Sequence, residues 1–258
     1  MEYINPGESP EAREYAQTVV QDYEQRRQAR IGFEMQWQLN MNFVSGNQHC
    51  FAALQDGQIY SEEKKYDWQE AEVFNHIAPI VETRLAKLGR IRPLPVVRPV
   101  SADEADEEAA KVSTALLQAV ARKENLSKRI EMATHWSELC GTSFYKITWN
   151  RNKGRRLGKS AIREGDVDIQ VCPPFEIFPD DSACRDVESC QSIIHARAVS
   201  AQEVKALWGM EPKGQEVEVF TLDCMPFGGL NGKRTLRADS VLVLEKYARP
   251  TAIIPTGA

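Results

Sequence analysis

Between Arg90 and Ser101 the chain reads Arg-Ile-Arg-Pro-Leu-Pro-Val-Val-Arg-Pro-Val-Ser, and Pro93, Pro95 and Pro99 restrict what can stand on either side. Each proline sets its own φ and pushes the preceding residue out of the helical region, so the segment is a stiff, extended connector. Before it, Phe74, Ile77, Val81, Leu85 and Leu88 recur at three- and four-residue steps opposite Glu82, Arg84 and Lys87. That period predicts a helix over about 76–89 with one face in the core, Pro79 near its start and Gly89 as a left-handed stop. After the connector, Ser101 and Glu104 have capping-box spacing, and Asp103, Asp106, Glu107 and Glu108 place negative charge at a helix start. Arg122 and Lys123 close that helix, over about 102–123, with Ala105, Ala109, Val112, Leu116 and Val120 as its buried stripe.

Residues 10–44 read as a long charged helix in which Glu11, Arg13, Glu14, Asp22, Glu24, Arg26, Arg27 and Arg30 alternate with Tyr15, Val19 and Tyr23. Trp37, Met41 and Val44 continue the apolar side until Ser45-Gly46-Asn47 stops it, so it docks by one stripe or lies against a neighbouring subunit. Residues 45–72 read as irregular, with a turn at Asp56-Gly57 and Trp68 as an anchor. A third helix is expected from Ser127 to Cys140, ended by Gly141. The period then changes to two: Tyr145, Ile147 and Trp149 alternate with Phe144, Lys146 and Thr148, and Val167, Ile169 and Val171 with Asp166, Asp168 and Gln170. The two strands make a β-hairpin with a basic, glycine-bearing tip. Cys172-Pro173-Pro174 leaves that sheet, and Phe175 to Asp181 ends in a turn. A strand over 192–199, a two-turn helix capped by Ser200 and Glu203 and closed by Gly209, and strands near 216–222 and 240–247 follow. Between the last two lies a loop rich in glycine and basic residues (Gly228, Gly229, Asn231, Gly232, Lys233, Arg234, Arg237). The final Thr251 to Ala258 supplies no closing element, which reads as a longer chain cut short.

The fold class is therefore α+β: a helical N-terminal half, then antiparallel β-hairpins with short helices. A length of 258 residues with 42% hydrophobic content supports one large or two medium domains. A formal charge of -5 excludes a surface built throughout to grip nucleic acid, so any such contact is local. No uncharged apolar run reaches membrane-spanning length and no signal peptide is evident, which predicts a cytosolic setting and no membrane partner. The six cysteines (Cys50, Cys140, Cys172, Cys184, Cys190, Cys224) then read as reduced apolar side chains. A metal set of Cys172, Cys184, Cys190 and His195 has intervals that match no common zinc signature, so neither metal nor cofactor is expected.

No nucleophile elbow, Walker loop or dinucleotide fingerprint accompanies His49, His76, His135 and His195. The pairs Asp166/Asp168 and Asp180/Asp181 are the one arrangement that a divalent cation would suit, as in a metal-dependent nuclease. Outward acids on a strand and in a turn are more simply solvated surface, and the chain does not read as an enzyme. The sharper candidate is the hairpin tip, where Arg151, Lys153, Arg155, Arg156 and Lys159 gather in an acidic protein. Such a tip reaches phosphates or acidic patches on another protein, or simply keeps a solvated hairpin from sticking. A free-standing nucleic-acid-binding module is the corresponding alternative.

The order of motifs resembles tailed-bacteriophage portal proteins, the head-to-tail connectors of the virion. It runs from Trp37, Asn40 and Phe43-Val44-Ser45-Gly46-Asn47-Gln48 through Asn75-His-Ile-Ala-Pro79, Arg92-Pro-Leu-Pro-Val-Val-Arg-Pro99 and Ala-Asp-Glu-Ala-Asp106. It continues with Gly141-Thr-Ser-Phe-Tyr-Lys-Ile-Thr-Trp149, the basic hairpin, Val171-Cys-Pro-Pro-Phe-Glu-Ile-Phe-Pro-Asp180 and Glu245-Lys-Tyr-Ala-Arg-Pro250. The resemblance covers most of residues 30–250. It implies a non-enzymatic ring, usually of twelve subunits, at one capsid vertex, serving DNA packaging, DNA ejection and tail attachment. The implied partners are other copies of the chain, terminase, capsid, scaffold and tail adaptor proteins, and the double-stranded DNA in the channel. The implied location is the virion, and the host cytoplasm during assembly. By the same resemblance residues 1–214 would be a wing-like α/β region and 215–258 part of a stem- or clip-like β region, with the remaining stem helices, tunnel loop and crown missing.

Overall fold

A computed structural model describes residues 9–53, 58–61, 66, 68, 72–91, 94–158, 162–181, 186–224 and 230–250. In chain order the elements are α1 (Pro10–Ser45), β1 (Cys50–Ala53), β2 (Gln58–Ser61), α2 (Ile77–Gly89), α3 (Glu104–Lys123), α4 (Leu126–Cys140), β3 (Phe144–Asn150), β4 (Asp166–Cys172), β5 (Ile177–Pro179), β6 (Ser192–Ser200), α5 (Ala201–Trp208), β7 (Gln215–Cys224) and β8 (Leu230–Ala248). All strand pairings are antiparallel, so the α+β expectation holds. The chain divides into two compact units, residues 1–74 with 173–258, and residues 75–172. The second is thus an insertion in the first. Of the strands from 215 onward, where a separate region is expected to open, β8 is hydrogen-bonded to β6 and β7 to β8, in a first-unit sheet of order β5-β6-β8-β7.

In the first unit α1 starts where Ser9 Oγ accepts the Ala12 N–H at 3.1 Å and Pro10 takes the first helical position. It ends at Gly46, whose φ of 95° returns N–H groups to the last carbonyls. The expected apolar docking stripe is only part of its attachment. Arg30, read from sequence as part of the charged face, is buried at 5% exposure. Its guanidinium donates to the carbonyls of Pro174 (3.0 Å), Phe175 (2.8 Å) and Ile177, pairs with Glu34, and lies 3.7 Å above the Phe178 ring. Burial pushes the Arg30 pKa down, while Glu34 acts against that shift. One turn earlier Arg26 donates to the carbonyls of Phe178 and Ser192, both at 3.1 Å, and is held by Asp22, which also takes Lys246 at 2.8 Å. Around these ions pack Phe178, Ile194 and Ala196 with Tyr23 and Leu244, and Phe175 stacks on Phe220 at 3.7 Å.

Three expectations for this unit are corrected. Residues 45–72 contain the β1–β2 hairpin, although its turn at Asp56-Gly57 lies outside the described residues. Trp68 stacks on Tyr66 at 5.4 Å and is exposed, so among the described residues it is not a buried anchor. Residues 230–239, read as loop, are the first half of β8: Lys233 pairs with Asp223 and Arg234 with Glu218 across to β7, and buried Asn231 donates to the Met41 carbonyl at 2.8 Å. The backbone ladder to β7, with exposed cross-strand ion pairs beside it, therefore carries as strand a composition that alone suggests a loop. Asp239, at φ 49°, marks where β8 passes from pairing with β7 to pairing with β6. The segment 175–181 also carries a short strand, β5, before its turn. Gly228, Gly229 and residues 251–258 lie outside the described residues. Ser200 Oγ accepts the Glu203 N–H at 3.2 Å and Gly209 closes α5 at φ 70°, as its sequence predicts.

In the second unit α4 supplies the core through Ala133, Trp136, Leu139 and Cys140, and Gly141 ends it at φ 78°. Arg84 of α2 grips Glu138 of α4 with two hydrogen bonds, at 2.8 and 2.9 Å. The connector is non-helical over 94–100 and is pinned where the Val97 N–H reaches Thr114 Oγ1 at 2.9 Å; Arg92 and Pro93 lie outside the described residues. The capping details differ from expectation. Asn75 Oδ1 accepts the Ile77 and Ala78 N–H groups, Gly89 is helical with Arg90 beyond it, and α3 starts at Glu104 while Ser101 bonds to Asp106 rather than capping. The larger correction concerns the apolar faces. No residue of α2 is buried, and of α3 only Ala110 is. The periodic stripes exist, but the described residues cover that of α2 only in part, with Val81 and Leu85 half-buried, and leave Ala105, Ala109, Val112 and Leu116 of α3 exposed.

Candidate functional site

The hairpin of the second unit carries the sequence's site residues. β3 and β4 pair in continuous register from Phe144 opposite Cys172 to Asn150 opposite Asp166, because both strands keep strict period-two alternation. Beyond them residues 151–158 and 162–165 pair as a smaller ribbon. Leu157 and Ile162, Glu164 and Arg155, and Gly165 and Lys153 are joined by backbone bonds of 3.0–3.1 Å, and Arg156 bridges Arg163. Gly154 and Gly165 turn this ribbon at φ 86° and 80°. The Trp149 indole lies over Gly165 so closely that a Cβ there would fall 2.5 Å from its Nε1.

The five expected cations do not act as one cluster. Lys153 is drawn back to Asp168 at 2.9 Å and to buried Glu124 at 3.5 Å, and Glu124 also takes Arg129 at 2.7 Å. The hydrogen bond to Asp168 raises the Lys153 pKa. Arg151, Arg155 and Arg156 remain exposed, and among the described residues no ion pair holds them. Lys159 lies outside the described residues. Arg163, which the sequence reading passed over, joins the tip and donates to the Gly154 carbonyl at 3.1 Å.

The acidic pairs are committed elsewhere. Lys123 bonds Asp166, and Lys153 bonds Asp168, and each bond holds its carboxylate below the ordinary pKa. Asp180 accepts the Gln191 N–H at 2.9 Å and so closes a turn. His195 is buried with Nε2 3.4 Å from Glu176 Oε2. Of the Cys172, Cys184, Cys190 and His195 set, which the sequence argues against as a metal site, Cys184 lies outside the described residues, and among the described residues no three His, Cys, Asp or Glu side chains stand as a metal-binding group. Among those residues, too, no helix is long and apolar enough to cross a membrane.

What the sequence reading missed is the other face of the hairpin. Tyr145, Ile147 and Trp149 share it with their partners Val171, Ile169 and Val167, so all six are apolar; the β4 side is covered, with Ile169 buried and Val167 and Val171 half-buried, yet on the β3 side Ile147 is 67% and Trp149 61% exposed. On α3, Val112 and Leu116 are likewise 68% and 64% exposed. The signal was present in the alternation, which marks a face as apolar without saying what covers it.

A comparison with curated proteins finds no match. The sequence model of the family described as Phage P22-like portal protein matches residues 21–249, which takes in all of α2 to β8 and most of α1. That match spans well over half of the chain and agrees with the motif order: the chain belongs to the Phage P22-like portal protein family.

Proposed function

We propose that the chain is a subunit of a ring, usually of twelve copies in such assemblies, at one capsid vertex through which double-stranded DNA is packaged and ejected. On this reading its partners are further copies, terminase, capsid and scaffold proteins and a tail adaptor. It acts as a structural component of the virion, without a cofactor. The observation that carries the reading is the family match over residues 21–249. The second unit supports it: Val112 and Leu116 of α3 and Ile147 and Trp149 of β3 are apolar and exposed, as expected of surfaces buried by assembly. Residues up to about 214 would serve as the wing-like portion, with β7 and β8 leading toward stem and clip. Arg151, Lys153, Arg155, Arg156 and Lys159 would lie at a surface that meets DNA or a neighbouring subunit. The nuclease alternative has no support, since Asp166 and Asp168 are taken by lysines.

Electron microscopy and mass photometry of the purified protein test the reading. Rings with a central hole are expected. A population that stays monomeric at micromolar concentration and in the presence of scaffold protein would refute it.

A further inference from the structure

The hairpin face and the α3 stripe are complementary surfaces. Tyr145, Ile147 and Trp149 run for about 14 Å along β3, and the exposed stripe from Ala105 to Leu116 runs for about 16 Å along α3. The hairpin face has large residues, and the acidic end of the stripe has the small Ala105 and Ala109, which leave room for Trp149. Charge is complementary as well: exposed Arg151, Arg155 and Arg156 lie beyond the Trp149 end of the strand, and exposed Glu104, Asp106, Glu107 and Glu108 surround the Ala105 end of the helix. Both surfaces are open within one chain, so neither covers the other. On the β4 side of that face Ile169 is buried, whereas the β3 side is left open; a two-stranded sheet is marginal in water, and the exposed β3 half calls for a covering layer.

We infer that the β3 face of one copy docks on the α3 stripe of the next, antiparallel, with the arginine tip against the helix's acidic first turns. The inference rests on the ring reading and names its contact. Because the two surfaces differ, the contact is heterologous and repeats from copy to copy, which is the geometry that closes rings. Trp149 and Tyr145 are its aromatic anchors, and the arginine–carboxylate pairs form a charged rim that sets direction. A second copy is favoured over DNA as the occupant because a duplex offers no extended apolar surface to cover Ile147 and Trp149, whereas the α3 stripe does.

The test uses the full chain. Val112→Cys with Ile147→Cys, oxidised in a mixture of isotopically light and heavy protein, should give light–heavy cross-linked peptides and a ladder of oligomers on a non-reducing gel. Leu116→Asp should reduce assembly at least tenfold without lowering Tm. Arg155→Glu with Arg156→Glu should weaken assembly, and adding Glu104→Lys with Glu108→Lys should restore it. The inference is overturned if 112 and 147 cross-link only within one chain or not at all, if Leu116→Asp assembles like the parent, or if the tip variants assemble normally and lose only DNA retention. A parent that forms no rings but still gives the 112–147 cross-link between chains would retain this contact while refuting the ring. Rings without the cross-link would do the reverse.

Discussion

Replacing Arg30 by Met is the most direct perturbation of the first unit. The side chain supplies the donors for the carbonyls of Pro174, Phe175 and Ile177, compensates Glu34, and covers Phe178. Methionine fills much of the volume but donates nothing. Each buried acceptor left without a partner costs about 1–3 kcal/mol, so three give roughly 3–9 kcal/mol before relaxation. Partial repair by water and backbone shifts brings the expectation to about 3–5 kcal/mol, the range seen when one partner of a buried ionic pair is removed. That is a large share of a domain's total of about 5–15 kcal/mol. Urea unfolding followed by far-ultraviolet circular dichroism should show the midpoint falling at an unchanged slope. Arg30→Lys should recover part of the loss, because one ammonium keeps the charge without the planar fork. Raising salt to 1 M should not mimic the substitution, since a buried pair is poorly screened. A Met variant within about 0.5 kcal/mol of the parent, inside the range of ordinary surface substitutions, would refute the view that α1 is fastened by this guanidinium.

Further outcomes follow from other sites. Gly165→Ala should destabilise the second unit by about 1–3 kcal/mol and alter near-ultraviolet circular dichroism, since its φ of 80° disfavours a side chain and the new Cβ would collide with Trp149. Burial pushes the Cys140 thiol up to about 12, so native protein at pH 8 should leave Cys140 unmodified by iodoacetamide, while urea-unfolded protein is alkylated there, as peptide mass spectrometry would read. The folded pKa of Asp168 is depressed by the Lys153 hydrogen bond, so its contribution is complete above the ordinary 3.8 and is lost as pH falls through the folded value. Thermal melts should therefore be flat for this term between pH 5 and 7 and fall only below about pH 4, and Asp168→Asn should flatten that acid limb.

The sequence was most informative where structure is local. The stops of α1, α4 and α5 at Gly46, Gly141 and Gly209 could be read because a left-handed C-terminal residue is a one-residue signal. The β3–β4 pair could be read because two seven-residue strands keep their alternation. β1 and β2, at four residues each, are too short to show a period. The first half of β8 was hidden by its glycine, asparagine and basic residues, which become strand by pairing with β7, distant from local sequence signals. Arg26 and Arg30 were read as surface because nothing near them in sequence announces acceptors some 150 positions away. At the candidate site the tip arginines were legible as a charge cluster. The withdrawal of Lys153 was not, since it depends on Glu124 and Asp168 meeting in space.

The fastening of α1 by arginines also bears on how the chain is made. Its partners lie 152 residues ahead at Phe178 and 224 at Lys246, with the whole second unit between them. At synthesis rates of 5–20 residues per second the helix emerges on the order of 10–40 s before it can dock. A helix that docked by leucines would spend that interval exposing a hydrophobic surface to every other nascent chain. One that docks by guanidinium groups stays hydrated while it waits, and gives up that hydration only when the carbonyls of 174–178 and 192 arrive. The second unit, residues 75–172, is contiguous and is fully synthesised before any of the carbonyls that receive Arg26 and Arg30 exists.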